Sequence, residues 1–515
     1  MPAKAPKTSR HLEVERKFDV VDSTVSPSFD GIAAVARVET SPTQSLDATY
    51  FDTPAQDLAR NKITLRRRTG GHDAGWHLKL PGGPDARTEI HAPLTPAGDD
   101  AVPVELRDVV LAVVRDRPLG PVARITTRRE SQVLYRADGT PLAEFSNDHV
   151  TAWSAAGADD DSPPAEQEWR EWELELSEDA ARNGVSNTDL LNRLANRLLD
   201  AGAAPAGHAS KLARVLGTTS QPAGPPQAEE PLQRALTEHI GELLVWDRAV
   251  RADAPDSIHQ MRVTTRKIRS LLRDYDESFG LGDAAWVLDE LRELAGILGV
   301  ARDAEVLAER YDRELGRLAP ELVRGPVRER LVEGALRRYE TGWRRSLIAM
   351  RSQRYFRLLD ALDAIVSQSP AEVAGEERAP VTIDAAYKKV RKAAKAAPAA
   401  AGVELEGPSA EHDRNEAIHR IRKRAKRLRF TAAATGASQV SDRAKAIQSL
   451  LGDHQDSVVS REHLSHEAEA AHAAGEDTFT YGLLYQQEED LADRCREQLD
   501  DALRELAKSV RKAGH

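Results

Sequence analysis

Charged side chains recur at every second residue in five short segments of the first half of the chain, and no other feature constrains its fold as strongly. Glu13, Glu15 and Lys17 stand at i, i+2 and i+4, so an extended strand sets them on one face and Val14, Arg16 and Phe18 on the other. Thr64, Arg66 and Arg68 alternate with Ile63, Leu65 and Arg67, and His77 and Lys79 alternate with Trp76, Leu78 and Leu80. Arg87, Glu89 and His91 share a phase, and Glu171, Glu173 and Glu175 alternate with Trp172, Leu174 and Leu176. For any single strand, a solvated outer face explains the pattern. Across five strands the signs segregate, with carboxylates on the first and last and cations between, whereas solvated faces mix signs and carry Ser, Thr and Gln. The charged faces are therefore expected to meet inside a closed barrel. Carboxylate oxygens suit Mg²⁺ or Mn²⁺, and Arg and Lys match phosphate oxygens. A metal-chelated oligophosphate would supply the charges such a lumen lacks, which suits phosphoanhydride hydrolysis.

The 515 residues are enough for about two to four domains. A hydrophobic share of 40% and a charged share of 30% read as soluble and globular. The net charge of −11 argues against a general nucleic-acid binder, since such domains are usually basic. The single cysteine, Cys495, excludes an intramolecular disulfide framework and a cysteine zinc cluster. Residues 1–10 are basic without an apolar core, unlike a secretion signal, and no run approaches the ~18 apolar residues of a membrane span. The cytoplasm is the expected compartment.

Residues 11 to about 150 read as β-rich, with strands expected at Leu12–Phe18, Ile63–Arg68, Trp76–Leu80 and Ala123–Tyr135. An acidic loop over Gly157–Pro164 precedes a strand at Trp169–Leu176. A helix capped by Asn187 or Thr188 follows, with Leu190, Leu191, Leu194, Leu198 and Leu199 on its apolar face. Residues 218–229 are a linker by composition. Beyond 230 the periodicity is helical, with a break near Ser367–Ala379.

The ordered motifs Glu13-Val-Glu15-Arg-Lys17, Tyr50-Phe51-Asp52-Thr53, Leu65-Arg66-Arg67-Arg68, Trp76-His77-Leu78-Lys79 and Glu173-Leu-Glu175 resemble the CYTH, or triphosphate tunnel metalloenzyme, superfamily over residues 10–216. The resemblance implies an eight-stranded antiparallel tunnel. It implies that Glu13, Glu15, Glu173 and Glu175 hold the metal and that Lys17, Arg66, Arg68, Lys79 and Arg87 grip triphosphate. Arg128 is the favoured further phosphate ligand, with Arg129 as the alternative. Asp148 fits a late acidic position, although Glu144 shares its phase, and Lys211 resembles a lysine that closes the site from a helix. Members of the superfamily act on several triphosphates, including nucleotides, thiamine triphosphate, RNA ends and inorganic triphosphate, so the fold leaves the substrate open. Base recognition needs a stacking platform, and Trp76, Trp169 and Trp172 fall on the outward phase.

The second half repeats one pattern 160 residues apart. His259, Arg262, Arg266, Arg269 and Arg273 follow 3-4-3-4 spacing, as do His419, Arg422, Lys426 and Arg429 (419 − 259 = 160). Lys267 and Lys423 add to these cationic faces. Beside them run apolar stripes, Ile258, Met261, Ile268 and Leu272 in one copy and Ile418, Ile421, Ala425, Leu428 and Ala432 in the other. A single Arg-rich face is usually solvated and paired with carboxylates, but none lies between Val263 and Arg273 or between Ile418 and Thr431. Leu298-Gly299-x-x-Arg302-Asp303 corresponds to Leu451-Gly452-x-x-Gln455-Asp456. Together these motifs resemble the CHAD domain over about 230–510, which implies two pseudo-symmetric four-helix halves and binding of inorganic polyphosphate. Gln455 in place of an arginine, and Ala433 and Ala434 after the second basic helix, depart from that pattern. His454 is expected to be structural.

The chain therefore reads as α+β with two domains: a β tunnel over 8–217, a linker over 218–229 and an all-α helical bundle over 230–512, with repeats at about 230–367 and 380–512. The expected function is metal-dependent hydrolysis of inorganic triphosphate or a related short phosphoanhydride. The helical half is expected to bind polyphosphate or tether the protein to polyphosphate granules. The alternatives are a non-catalytic polyphosphate binder and a nucleotide or thiamine triphosphate enzyme.

Overall fold

The structure is a computed structural model that describes residues 8–83, 85–94, 101–154, 166–181, 185–217, 231–279, 282, 285–367, 382–397 and 408–513. The loop at 157–164, the linker at 218–229 and the break expected at 367–379, apart from residue 367, lie outside them. Ten strands form one sheet: β1 (Ser9–Val20), β2 (Arg37–Thr40), β3 (Gln44–Asp52), β4 (Thr64–Thr69), β5 (Gly75–Gly83), β6 (Ala86–Ala92), β7 (Gly120–Tyr135), β8 (Pro141–Ser154), β9 (Glu166–Leu176) and β10 (Ala204–Pro205). Eight of them run β1-β6-β5-β4-β3-β7-β8-β9, every pair antiparallel, and β9 returns to β1 to close the barrel. The closure pairs Glu15 with Glu175 and Lys17 with Glu173, so the first and last charged strands are neighbours. The expected eight-stranded tunnel is borne out.

This barrel is polar inside and apolar outside, so helices must cover it. The short helices are α1 (Asp57–Arg60), α2 (Val104–Val109), α3 (Leu111–Val114) and α4 (Glu178–Ala181). Leu106, Val110, Val113 and Val114 cover Phe51, Leu65, Trp76, Leu78 and Leu80 from the outward faces of β3, β4 and β5. α5 (Val185–Asp200) lays Leu190, Leu191, Leu194 and Leu198 against Phe18, Phe145, Trp172 and Leu174. It begins at Val185, ahead of the expected cap at Asn187 or Thr188, because the backbone winds a turn before its first core leucine. α6 (Lys211–Val215) packs Leu212 and Val215 on β3, β7 and β8, and Ser210 caps it by accepting a hydrogen bond from Ala213 N at 3.1 Å.

The helical half comprises α7 (Pro231–Arg251), α8 (Ser257–Phe279), α9 (Val287–Leu315), α10 (Gly334–Met350), α11 (Gln353–Ser367), α12 (Ile383–Lys395), α13 (Pro408–Ala434), α14 (Ser438–Ala473) and α15 (Phe479–Ala513). Compactness does not divide the chain at residues 218–229. One unit is Met1–Ala295 with Leu347–Ser369, and the other is Gly296–Ser346 with Pro370–His515. Within the first, α7 and α11 are bound to the barrel's covering helices by ion pairs. Arg251 and Arg351 both reach Asp108 of α2, at 3.1 and 2.9 Å, and Arg117 joins Asp57 of α1 to Asp360 of α11 at 2.5 and 2.8 Å. Within the second, α12 to α15 share a core of Val390, Ile418, Ile421, Leu428, Ile447, Leu451 and Leu506.

Candidate active site

A cavity of about 490 Å³ runs through the barrel. Its wall carries seven cations, Lys17, Arg66, Arg68, Lys79, Arg87, Arg129 and Lys211, together with Glu13, Glu15, Glu89, Glu144, Glu173 and Glu175. Strand register explains the convergence, because antiparallel partners share a face. Glu13 pairs with Arg87, Lys79 with Glu89, Arg66 with His77, and Arg129 with Asp148. Glu13, Glu15, Lys17, Arg66, Arg68, His77, Lys79, Arg87, Glu89, Glu173 and Glu175 of the lumen belong to the alternation read from the sequence, whereas Tyr50, Arg129, Glu144 and Lys211 join them from outside it.

The charges engage one another in a dense network. Lys79 Nζ lies 2.7 Å from Glu13 Oε2, and Lys17 Nζ 3.0 Å from Glu15 Oε2 while also contacting Glu173. Lys211 Nζ meets Asp148 Oδ2 at 2.9 Å and both Glu171 Oε1 and Glu173 Oε1 at 2.7 Å. Arg129 grips Asp148 with two bonds of 2.8 and 2.6 Å and also reaches Glu173. Arg87 stands 3.7 Å from Glu15, Arg68 pairs with Asp73, and Arg66 donates to the Tyr50 hydroxyl at 3.4 Å.

Local balance differs from point to point. Burial pushes the Glu15 carboxyl up, but the Lys17 and Lys79 ammoniums outweigh it and hold the group at about 2. Asp148 and Glu173 are likewise buried yet held low, chiefly by Arg129 and Lys17 respectively. Glu175 goes the other way: burial and the neighbouring charge of Glu13, reinforced by Glu15 and Glu173, raise it to about 7. Among the cations, burial together with Arg66 and Arg129 pushes Arg68 down to about 9. Among the described residues Glu175 has no ion-pair partner, while Arg68 keeps Asp73 despite the crowding of Arg66 and Arg129 around it. The all-oxygen group of Asp148, Glu171 and Glu173 brings ligand atoms within 4.8 Å of one another and could hold a metal ion. A hard divalent cation fits that donor set and the deficit at Glu175.

Of the residues singled out in the sequence, Glu13, Glu15, Lys17, Arg66, Arg68, Lys79, Arg87, Glu173, Glu175 and Lys211 line the cavity, and Asp148 joins them through Lys211 and Arg129. Arg128 does not. Its side chain is 55% exposed and ion-paired with Glu130 at 2.7 Å on the outer face, whereas Arg129 points inward. The phase follows from pairing: Arg129 faces Asp148 across β7 and β8, while Arg124 of the opposite phase is bound to Asp47 outside. Glu171, Glu89, His77 and His11 share the lumen phase without having been assigned a role, and so does Trp169, expected on the outward phase: it precedes Glu171 by two residues on β9 and donates its Nε1–H to Glu171 Oε2 at 2.6 Å. Tyr50 stands in one of the sequence motifs but received no role there, because its hydroxyl gains meaning only through its cross-strand partner Arg66.

In the first unit, Ile258, Met261, Ile268 and Leu272 of α8 are buried, Arg266, Lys267 and Arg273 are exposed, and His259, Arg262 and Arg269 are half-buried. Lys267 has a partner that helix spacing could not reveal, Glu242 of α7 at 3.7 Å. In the second unit, Ile418, Ile421, Ala425, Leu428 and Ala432 of α13 are buried, Lys423 and Lys426 exposed, and His419, Arg422 and Arg429 half-buried. Gly452 of α14 lies under the Arg422 guanidinium, where an added Cβ would stand 3.6 Å from it. Asp456, one turn on, is near enough for Arg422 and Arg310 to pull its carboxyl down against the dominant effect of burial, which raises it. His454 is buried, as a structural role requires.

The CYTH domain family matches residues 11–186, and the CHAD domain family matches residues 234–465. The chain is a CYTH–CHAD protein. Two Mycobacterium tuberculosis proteins, Uncharacterized protein MT2285 from strain CDC 1551 / Oshkosh and Uncharacterized protein Rv2226 from strain ATCC 25618 / H37Rv, are each 71% identical to it over 521 residues, covering 100% of both chains. Among solved structures, PptA from Streptomyces chartreusis is 19% identical, covering 53% of this chain and 98% of its own, with a TM-score of 0.40. Lys211 and the helix that carries it lie beyond the matched CYTH segment. No helix among the described residues is long and apolar enough to cross a membrane.

Proposed function

We propose that the tunnel hydrolyses inorganic triphosphate or a related short phosphoanhydride with Mg²⁺ or Mn²⁺, and that the helical half binds inorganic polyphosphate. The observation that carries this reading is one closed cavity whose wall sets Lys17, Arg66, Arg68, Lys79, Arg87, Arg129 and Lys211 beside Glu13, Glu15, Glu173 and Glu175, with burial and neighbouring carboxylates pushing Glu175 up to about 7. A metal-chelated phosphate chain offers a counter-charge to both sets at once. Glu13, Glu15, Glu173 and Glu175, with Asp148, would hold the metal, which when bound neutralises charge on the phosphoryl oxygens.

Lys17, Arg66, Arg68, Lys79, Arg87 and Arg129 bind the phosphate oxygens and stabilise the charge that develops on the transferred group. Lys211 closes the lumen beside Asp148 and Glu173. Tyr50 orients Arg66. Tyr50 is also the sole Phe, Tyr or Trp among the residues lining the cavity, so a base finds little to stack on. His259, Arg262, Arg266, Lys267, Arg269 and Arg273 on α8, and His419, Arg422, Lys423, Lys426 and Arg429 on α13, are the proposed polyphosphate contacts.

The test is phosphate release by the purified chain from triphosphate, ATP and thiamine triphosphate, with Mg²⁺ or Mn²⁺. Triphosphate should be the fastest substrate, and Glu15→Gln should abolish release. Absence of phosphate release from all three, or full activity in Glu15→Gln, would remove the catalytic reading.

A further inference from the structure

One wall of the tunnel, built by β1, β5 and β6, presents imidazoles beside its carboxylates. His11 stands directly across from Glu89, and His77 across from His91. His11 Nε2 is 2.9 Å from Glu89 Oε2 and 3.8 Å from Glu13 Oε1, and single ligand atoms of these three residues all lie within 4.8 Å of one another. Both carboxylates are buried, at 4% and 5% exposure. His77 fixes the far oxygen of Glu89: its Nδ1 is 2.7 Å from Glu89 Oε1, and its Nε2 is 3.0 Å from the Asp73 carbonyl. A buried carboxylate steered by an imidazole anchored to the backbone is how a metal ligand is oriented from behind. A further imidazole stands on the same wall. The His91 ring lies 4.9 Å from that of His77, and its buried Nε2 has no hydrogen-bond partner among the described residues. It occupies space that only a glycine leaves, since a Cβ on Gly75 would come within 2.1 Å of that nitrogen.

We propose that His11 and Glu89 form a second cation position in the tunnel, sharing Glu13 with the carboxylate set proposed above and distinct from the all-oxygen group of Asp148, Glu171 and Glu173. The two differ in donor chemistry. Imidazole nitrogen suits Mn²⁺, Co²⁺ or Zn²⁺ better than Mg²⁺, whereas an all-carboxylate set accepts Mg²⁺ readily. The tunnel therefore sorts cations along its length, with a transition metal favoured at His11. This inference rests on the reading of the tunnel as a metal-dependent site, and it adds the choice of metal.

The experiment uses the full chain with Mn²⁺ alone, observed by pulsed electron paramagnetic resonance for nitrogen hyperfine coupling and by calorimetry for stoichiometry. Wild type should show imidazole nitrogen coupling. His11→Asn should lose the coupling and one class of Mn²⁺ sites while still binding Mg²⁺, and that retained binding shows the barrel has folded. Glu171→Gln should keep the nitrogen coupling. Absence of nitrogen coupling in wild type, or its survival in His11→Asn, would overturn the proposal. Hydrolysis without nitrogen coupling would count against this position alone. Nitrogen coupling without hydrolysis would count against the proposed reaction alone.

Discussion

In the tunnel, Lys211 lies within ion-pair distance of Asp148, Glu171 and Glu173 and is almost wholly buried. On α12, by contrast, Lys388, Lys389, Arg391 and Lys392 are exposed and make no ion pair among the described residues, and the same holds for Lys423 and Arg424 of α13. A polyanion entering the tunnel must exchange pairs that already exist, so the site favours a ligand that brings its own cation to the carboxylates left behind. A polyanion settling on these six helix cations displaces only counterions. The first arrangement selects by charge and shape together, while the second answers to charge density and loosens with salt.

The largest effect should appear within the tunnel, between adjacent arginines of one strand. Arg129→Ala should slow phosphate release by ~10²–10³-fold, the scale expected for removing a preorganised donor to the transferring group, while Arg128→Ala should leave the rate nearly unchanged. Steady-state rates of the two variants decide it, and equal losses would break the distinction between lumen and outer face. Next comes the buried side of the second basic helix. Leu428→Ala should destabilise the chain by ~2–5 kcal/mol in denaturant unfolding, showing that the apolar stripe is structural and only the cationic face is available to a ligand.

On that cationic face, replacing Arg422, Lys423, Lys426 and Arg429 together with Gln should weaken polyphosphate binding by ~10-fold or more and flatten its salt dependence. Triphosphate hydrolysis should not change. A titration of polyphosphate at several salt concentrations checks this, and salt-independent binding would count against the contrast.

The smallest effect concerns pH. His463, on α14, is held down to about 4 by burial and the nearby Arg338, against an ordinary 6.5. Its folded value lies below its unfolded one, so the stability it contributes is present above pH 6.5 and is lost as pH falls towards 4. Thermal unfolding of His463→Gln should show a shallower decline over that window than wild type.

The alternation of Glu13, Glu15 and Lys17 and of Glu171, Glu173 and Glu175 made the lumen legible, because a strand's two faces are set by parity alone. The helical stripes were legible for the same kind of reason, and every apolar member of both lies in a core. Parity within a strand does not say which neighbour it meets. Arg129 could be preferred to Arg128 only through its pairing with Asp148, and Tyr50 acquires a role only opposite Arg66. The grouping of α7 and α11 with the barrel was likewise invisible. It depends on Asp108, Asp360, Arg117, Arg251 and Arg351, each of which reads in sequence as an ordinary surface charge.

The central claim is that triphosphate with its metal fills the barrel and not its exterior. A crystal structure of the full chain grown with triphosphate and Mn²⁺, with anomalous scattering recorded for the metal, tests it most directly. The account predicts phosphate oxygens on Arg66, Arg68, Lys79 and Arg129, with an anomalous peak among the lumen carboxylates. Phosphate bound only outside the barrel, with the pairs of Lys79 to Glu13 and Arg129 to Asp148 undisturbed, would contradict it.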